Sequence, residues 1–304
     1  MHRNEMKKSR ILRELISGPD ILVMPGVFDC YSSRLIERSG FSAGFISGGG
    51  LSESKLGWAD VGLMGYEENI QACRNIVACS SLPLLADGDT GYGNAVNVHF
   101  TVKGFEQAGV AGLMIEDQAW PKRCGHFAGK QVIPRDEAAE KIAAAAAARV
   151  DPDFVIKSRT DAFATDGLKE AIDRLNLYAE SGADLLFADA LLQVSDIETV
   201  VKNVTKPVCV NMGFGIRKRS TTPLLSARQL QDLGVAVVIY PRMLTAAALQ
   251  GMENAVKVLQ GSLHAQEAPD RPDLQYSFEQ INDLMGIEHL TRLETSVVSK
   301  RTAV

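Results

Sequence analysis

The amino-acid sequence predicts an α/β fold of the (β/α)8 TIM-barrel class, followed by a C-terminal helical extension. Three observations predict it: eight short apolar runs alternate with amphipathic stretches, several of those stretches close on glycine, and polar residues stand just after the runs. The runs are 21–24, 43–46, 82–86, 111–115, 154–157, 184–188, 207–210 and 235–240. Each is nearly continuous in apolar character and too short for a helix, which suits parallel strands covered on both faces. Between them, 67–79, 96–108, 134–149, 168–181, 195–203, 226–233 and 244–259 carry apolar residues three and four apart, the spacing of amphipathic helices. Gly40, Gly109, Gly182 and Gly234 fall where helix C-caps belong. Eight strands alternating with helices in 304 residues fill one barrel. An open doubly wound sheet is the rival topology, but the Gly-rich fingerprint after its first strand is absent.

Residues 1–260 are therefore expected to form the barrel. Residues 261–304 break the rhythm: 264–273 is polar with two prolines and reads as a linker, while 277–285 and 288–295 can form helices. Those helices pack either on a neighbouring subunit or on their own barrel. The charged fraction of 23% and the net charge of -5 fit a globular protein and disfavour a nucleic-acid partner. No apolar stretch is long enough to span a membrane, and residues 1–15 are too broken by Arg and Lys for an export signal. Five scattered cysteines do not form a disulfide framework, so a reducing, cytoplasmic setting is expected. Cys30, Cys73, Cys79 and Cys209 read as small core residues, leaving Cys124 in a loop.

Chemistry in a barrel of this class sits after the strand ends. There stand Ser47-Gly48-Gly49-Gly50, Asp87-Gly88-Asp89, Glu116-Asp117, Arg159-Thr160-Asp161, Asp189 and Asn211. An isolated Asp-x-Asp more often caps a helix or turn, but Asp87, Asp89 and Glu116 on neighbouring strands repel unless a cation neutralises them. Oxygen-only ligation favours Mg²⁺, with Mn²⁺ as substitute, over zinc, and Asp60 is a fourth candidate ligand. The Ser47–Gly50 backbone can cradle a carboxylate, though glycine clusters are usually turns. Arg159 can clamp the same anion or simply form a rim ion pair. In Lys122-Arg123-Cys124-Gly125-His126, a thiol among cations is expected to be acidified, against the commoner case of an inert loop cysteine.

These segments together resemble the isocitrate lyase/phosphoenolpyruvate mutase superfamily over roughly residues 20–260. The matching segments are Phe45–Gly50, Asp87–Gly93, Ile115–Gln118, Lys122–His126, Ser158–Ala162 and Asn211-Met212. Trp120-Pro121 and Gly129-Lys130 resemble the branch that holds the 2-alkylmalate lyases. The resemblance implies a Mg²⁺-dependent carbon–carbon lyase acting on a small di- or tricarboxylate such as a substituted malate. It assigns Asp60, Asp87, Asp89 and Glu116 to the metal, and Phe45, Ser47, Gly48, Gly49, Asp60, Lys122, Gly125, Arg159, Asn211, Thr222 and Pro223 to substrate. Cys124 matches the catalytic acid, with Glu116, Arg159 and His126 completing the catalytic set. The superfamily's phosphonate mutases and hydrolases generally lack that cysteine. A homotetramer with exchanged C-terminal helices is also implied.

Three departures stand out. Phe45 replaces the tyrosine usual in isocitrate and methylisocitrate lyases, removing a hydroxyl contact. Asp189 replaces a glutamate. The longer stretch between Asn211 and Thr222 carries Arg217, Lys218 and Arg219, which either recruit an anion or form a solvated loop. An oxaloacetate hydrolase or decarboxylase on the same metal site, and a non-catalytic dicarboxylate-binding barrel, stay open as alternatives.

Overall fold

A computed structural model of the chain describes residues 6–125, 129–214 and 222–298. Eight strands, β1 (Leu22–Val27), β2 (Gly44–Ile46), β3 (Leu84–Asp87), β4 (Gly112–Glu116), β5 (Val155–Thr160), β6 (Leu185–Ala188), β7 (Cys209–Asn211) and β8 (Val237–Tyr240), pair in parallel in the order β6-β5-β4-β3-β2-β1-β8-β7. A single parallel bridge, Leu186 to Val208, joins the two ends and closes the cylinder. The fold is the (β/α)8 barrel that the alternation predicts.

The expected helices appear as α4 (Tyr66–Ala78), α5 (Ala95–Gln107), α6 (Arg135–Ala148), α8 (Leu168–Glu180), α9 (Val194–Asn203), α10 (Ala227–Asp232) and α11 (Met243–Gly261). Gly40, Gly109, Gly182 and Gly234 all take the left-handed φ that the C-cap position demands. Shorter helices were not anticipated: α1 (Lys8–Ile16), α2 (Cys30–Arg38), α3 (Gly48–Leu51) and α7 (Ala162–Asp166). In α2 the Asp29 side chain accepts the Ser32 N–H at 2.7 Å while Ser32 reaches back to the Asp29 N–H, a capping box that starts a helix of low apolar content.

Two apolar layers result. The jacket lies between strands and helices and is built from residues such as Ile36, Ile70, Val102, Phe105, Ile142, Leu175 and Val200. The second layer fills the cylinder itself with Leu22, Met24, Phe45, Leu85, Met114, Val155, Leu185, Phe187, Cys209, Val237 and Ile239. Leu12 and Ile16 of α1 belong to this inner layer, so α1 caps the cylinder. Arg13 anchors it through Asp184 (3.0 Å), and Ser9 through Asp151 (2.7 Å). Lys157 is the polar exception inside: fully buried, with Nζ 5.0 Å from the Phe45 ring centroid and 4.6 Å from that of Phe187.

The chain divides into two compact units, Met1–Thr245 and Ala246–Val304. The second contains α12 (Phe278–Leu284) and α13 (Ile287–Val298). Among the described residues no helix is long and apolar enough to cross a membrane.

Candidate active site

At the C-terminal ends of the strands a cavity opens. Among the described residues it is lined by Phe45, Ser47, Gly49, Asp60, Asp87, Lys122, Cys124, Gly125, Arg159 and Asn211, all singled out in the sequence, and by Asp189. The remaining lining residues were not anticipated: Met114, Phe187, Ile239, Pro241 and Arg242. The apolar members are the tops of inward-facing strand rows, which alternation alone could have identified.

The backbone that builds the rim is tightly fixed. After β2 the chain enters α3 directly, with the Ser47 hydroxyl accepting the Gly50 N–H at 3.2 Å, so the expected glycine loop is a helical turn instead. A Cβ at Gly48 would lie 2.8 Å from Asp87 Oδ2, and one at Gly49 3.3 Å from Asp60 Oδ2. Bare glycines thus let both carboxylates approach this turn. After β3, Asp89 adopts a left-handed φ of 49°, its N–H donating to Asp87 Oδ1 at 3.0 Å. Its carbonyl accepts the Glu116 N–H at 2.9 Å, locking the turn to β4.

Lys122 to Gly125 sits on an excursion between β4 and α6. Its stem is a short antiparallel pairing of Gln118 with Val132. The Gln118 side chain then grips Arg123 on both sides, accepting its N–H and donating to its carbonyl, each at 2.9 Å. The Cys124 N–H donates to the Asp60 carbonyl at 3.0 Å, which brings the thiol to the cavity wall. His126 lies outside the described residues, as do Arg217, Lys218 and Arg219. Thr222 is buried and Pro223 half-buried, but neither lines the described part of the cavity, nor do Gly48, Asp89 and Glu116.

Charge in the site is unevenly matched. Lys122 Nζ stands 2.6 Å from both Asp60 and Asp89, so its charge is spent on carboxylates rather than on the neighbouring thiol. Arg159 donates to both oxygens of Asp161, at 2.9 and 2.8 Å, and lies 3.3 Å from Glu116 and from Asp189. Lys130 joins the same group at 2.5 Å from Asp161 and 3.0 Å from Asp189. Among the described residues, Lys122, Lys130 and Arg159 are the cations in direct ion pairs within a group of six carboxylates: Asp60, Asp87, Asp89, Glu116, Asp161 and Asp189. Arg242 is held by Glu53 in a two-point pair at 2.8 and 3.1 Å, and its charge also acts on Cys124 and Asp60 across the cavity.

The shortage of positive charge shows in the titration of the group. Burial pushes Asp89 up to about 6 despite Lys122, and it raises Glu116 well above the usual carboxylate range despite Arg159. Burial alone would lower Lys122, yet Asp89, Asp60 and Glu116 together hold its proton on more firmly than usual. All three shifts point the same way.

Among the described residues, no three His, Cys, Asp or Glu side chains are gathered with metal-ligand spacing. The donor chemistry nonetheless fits a hard divalent cation. Among the described residues Glu116 Oε1 is buried without a hydrogen-bond partner, and the buried Asp89 carboxylate has only the Lys122 ammonium, at 2.6 Å, to balance it.

Behind the rim, Asp117, Thr160 and Asp161 of the strand-end segments meet two residues that no motif pointed to, Arg174 and Tyr178. The Asp117 carboxylate accepts from Thr160 (2.6 Å), the Asp161 N–H (2.9 Å), Tyr178 (2.8 Å) and Arg174 (3.1 Å). It fixes the end of β5 and with it the base of Arg159.

Against known proteins, the phosphoenolpyruvate phosphomutase family matches residues 12–260. The chain belongs to the isocitrate lyase/phosphoenolpyruvate mutase superfamily. It is 36% identical to 2,3-dimethylmalate lyase of Eubacterium barkeri, over 97% of this chain and 100% of that one. It is 35% identical to 2-methylisocitrate lyase of Aeropyrum pernix, over 95% and 91% respectively. Its fold superposes on oxaloacetate acetylhydrolase bound to 3,3-difluorooxalacetate with a TM-score of 0.87 and 28% identity, covering 96% of this chain and 97% of that one. A complex of phosphonopyruvate hydrolase with oxalate and Mg²⁺ gives a TM-score of 0.82 at 28% identity, covering 95% and 99%. The enzyme class read from the motifs stands: a carbon–carbon lyase of the isocitrate lyase/phosphoenolpyruvate mutase type.

Proposed function

We propose that this lyase cleaves the C2–C3 bond of a substituted malate, a 2-hydroxy di- or tricarboxylate such as 2,3-dimethylmalate or 2-methylisocitrate. The single observation that carries the reading is Cys124 in one cavity with Asp87, Arg159 and Asn211. A thiol at this place can protonate a carbanion, and it has no use in a mere dicarboxylate binder.

Bound Mg²⁺, held by Asp87, Asp89 and Glu116 with Asp60 beside them, would supply a Lewis acid for the 2-hydroxyl and its carboxylate. The chain's own residues do the rest. Ser47, Gly48 and Gly49 at the start of α3 receive the keto-acid end, and Arg159 turns one donor from Asp161 or Asp189 to it. Asn211, whose buried Oδ1 has no hydrogen-bond partner among the described residues, orients the far end of the substrate together with Thr222 and Pro223. As one of the rim carboxylates accepts the hydroxyl proton, C2 becomes a carbonyl and the C2–C3 bonding pair moves to C3, where the adjacent carboxylate delocalises it. The Cys124 Sγ–H then protonates C3, yielding a keto acid and a carboxylate. Phe45 and Phe187 keep water from that carbon.

The α13 helix has no buried residue, although Ile287, Leu290, Leu293 and Val297 repeat at helical spacing. A face of that kind belongs against another surface, and exchange with a second copy in a homotetramer accounts for it.

The test is an NMR time course with Mg²⁺ and 2-methylisocitrate, 2,3-dimethylmalate, 2-ethylmalate and oxaloacetate, beside an EDTA control. A keto acid plus a carboxylate from one of the malates, lost with EDTA, is the expected result. Oxalate plus acetate, or pyruvate plus CO₂, from oxaloacetate alone would replace the lyase reading with a hydrolase or decarboxylase.

A further inference from the structure

Two thiols outside this machinery stand on neighbouring elements. Cys30 opens α2 and Cys79 follows the last residue of α4, and the two helices pack side by side. Each sulfur reaches toward the other's element. Cys30 Sγ lies 3.6 Å from the Asn75 carbonyl in the last turn of α4, and Cys79 Sγ, which donates to the Ile76 carbonyl of α4 at 3.2 Å, also lies 4.0 Å from the Cys30 carbonyl. Burial and a hydrogen bond shared with the Cys30 thiol push Cys79 up to about 11, with Arg34 opposing. The sequence reading of four core cysteines is corrected here: Cys73 and Cys209 are buried, but Cys30 and Cys79 are half-exposed and open to small reagents.

We propose that Cys30 and Cys79 form a reversible dithiol–disulfide site, oxidised by small hydroperoxides and restored by dithiols. One thiol attacks the peroxide O–O bond, taking one oxygen as a sulfenic acid and releasing an alcohol or water. The second thiol displaces that oxygen as water, and the S–S bond forms as its proton leaves. The two sulfurs together lose two electrons, and the peroxide gains them. Cys79 attacks as the thiolate it forms transiently, so its raised pKa makes the resolving step the slow one and lets it quicken with pH.

The crosslink spans 49 residues of sequence. That loop carries Phe45, Ser47, Gly48, Gly49 and Asp60, so oxidation ties off the segment that supplies one side of the cavity. Closing a loop of this length removes conformational freedom chiefly from the unfolded chain.

The test treats the full chain with hydrogen peroxide, alkylates the remaining thiols, and maps its peptides by mass spectrometry. The expected product is a Cys30–Cys79 linked peptide about 2 Da lighter than its two reduced halves, absent after dithiothreitol. The oxidised protein should melt about 5 °C higher. C30S and C79S should each lose both the linked peptide and the shift. Separate alkylation of Cys30 and Cys79 after the treatment, or irreversible oxidation of either without a link, would overturn the proposal.

Discussion

Replacing Lys157 by Met is expected to stabilise the fold. The ammonium is fully buried in the inner layer, where its polar neighbours are the Cys209 thiol and, by charge alone, the Asp87 carboxylate. Burying such a charge costs several kcal/mol even after relaxation. The rings of Phe45 and Phe187, at 5.0 and 4.6 Å, return at most about 2 kcal/mol each. The balance is a net cost of about 2 kcal/mol, which a methionine of similar length would relieve. For a chain of this size that is a rise of about 4 °C in Tm. The sign of the pH dependence follows from burial, which lowers the Lys157 pKa from its ordinary 10.5. Between the lowered folded value and 10.5, the unfolded chain binds a proton that the folded chain does not, so wild-type stability rises with pH there. The advantage of K157M should therefore shrink as pH approaches 10.5, since other titrations are common to both proteins. Urea unfolding of both proteins at pH 7, 8.5 and 10 measures it. A less stable K157M, or a gap that does not change with pH, would refute the reasoning and assign the lysine's charge a use inside the barrel.

C124A should lower kcat by about 10²- to 10⁴-fold with little change in KM, as expected for loss of a proton donor at the carbanion. Equal turnover by this variant would remove Cys124 from the mechanism. In G125A, the added Cβ would lie 2.2 Å from Asp189 Oδ2 and 2.6 Å from Arg159 Nη2, so Arg159 must move. A KM raised at least about tenfold, read by steady-state kinetics, is expected from loss of a charged contact to substrate. D117A should cost about 3 kcal/mol of stability in urea, because buried Arg174 and Tyr178 lose a shared acceptor. L12A, which empties space in the inner layer, should cost about 3 kcal/mol as well.

The barrel was legible because strands buried on both faces write continuous apolar runs, and their helices write a three-four rhythm. The helices that escaped notice have at most nine residues, too few to repeat an apolar rhythm over several turns. The nine residues of α1 turn only Leu12 and Ile16 fully inward among their apolar side chains, and α3 is three glycines and a leucine. The site was legible where residues follow a strand directly, as Asp87, Glu116 and Arg159 do. It was not legible where partners come from afar: Lys130 reaches Asp189 across 59 positions and Arg242 reaches Glu53 across 189. Nor could spacing show that Lys122 turns from the thiol beside it to Asp60 and Asp89, a choice made by geometry at the rim.

The position of α1 sets an order on the birth of the molecule. Leu12 and Ile16 share a layer with Leu22 from the first strand and Val237 from the last. Their seat is therefore complete only when β8 has paired with β1. On a ribosome adding about 5–20 residues per second, the helix emerges first and waits roughly 10–40 s for that moment. Throughout that interval its apolar stripe is on display, a handle for holdase chaperones and a hazard in crowded solution. A chain that stalls before Tyr240 never hides it. The stopper thus doubles as a completion mark, withdrawn from view only once the whole barrel has been made.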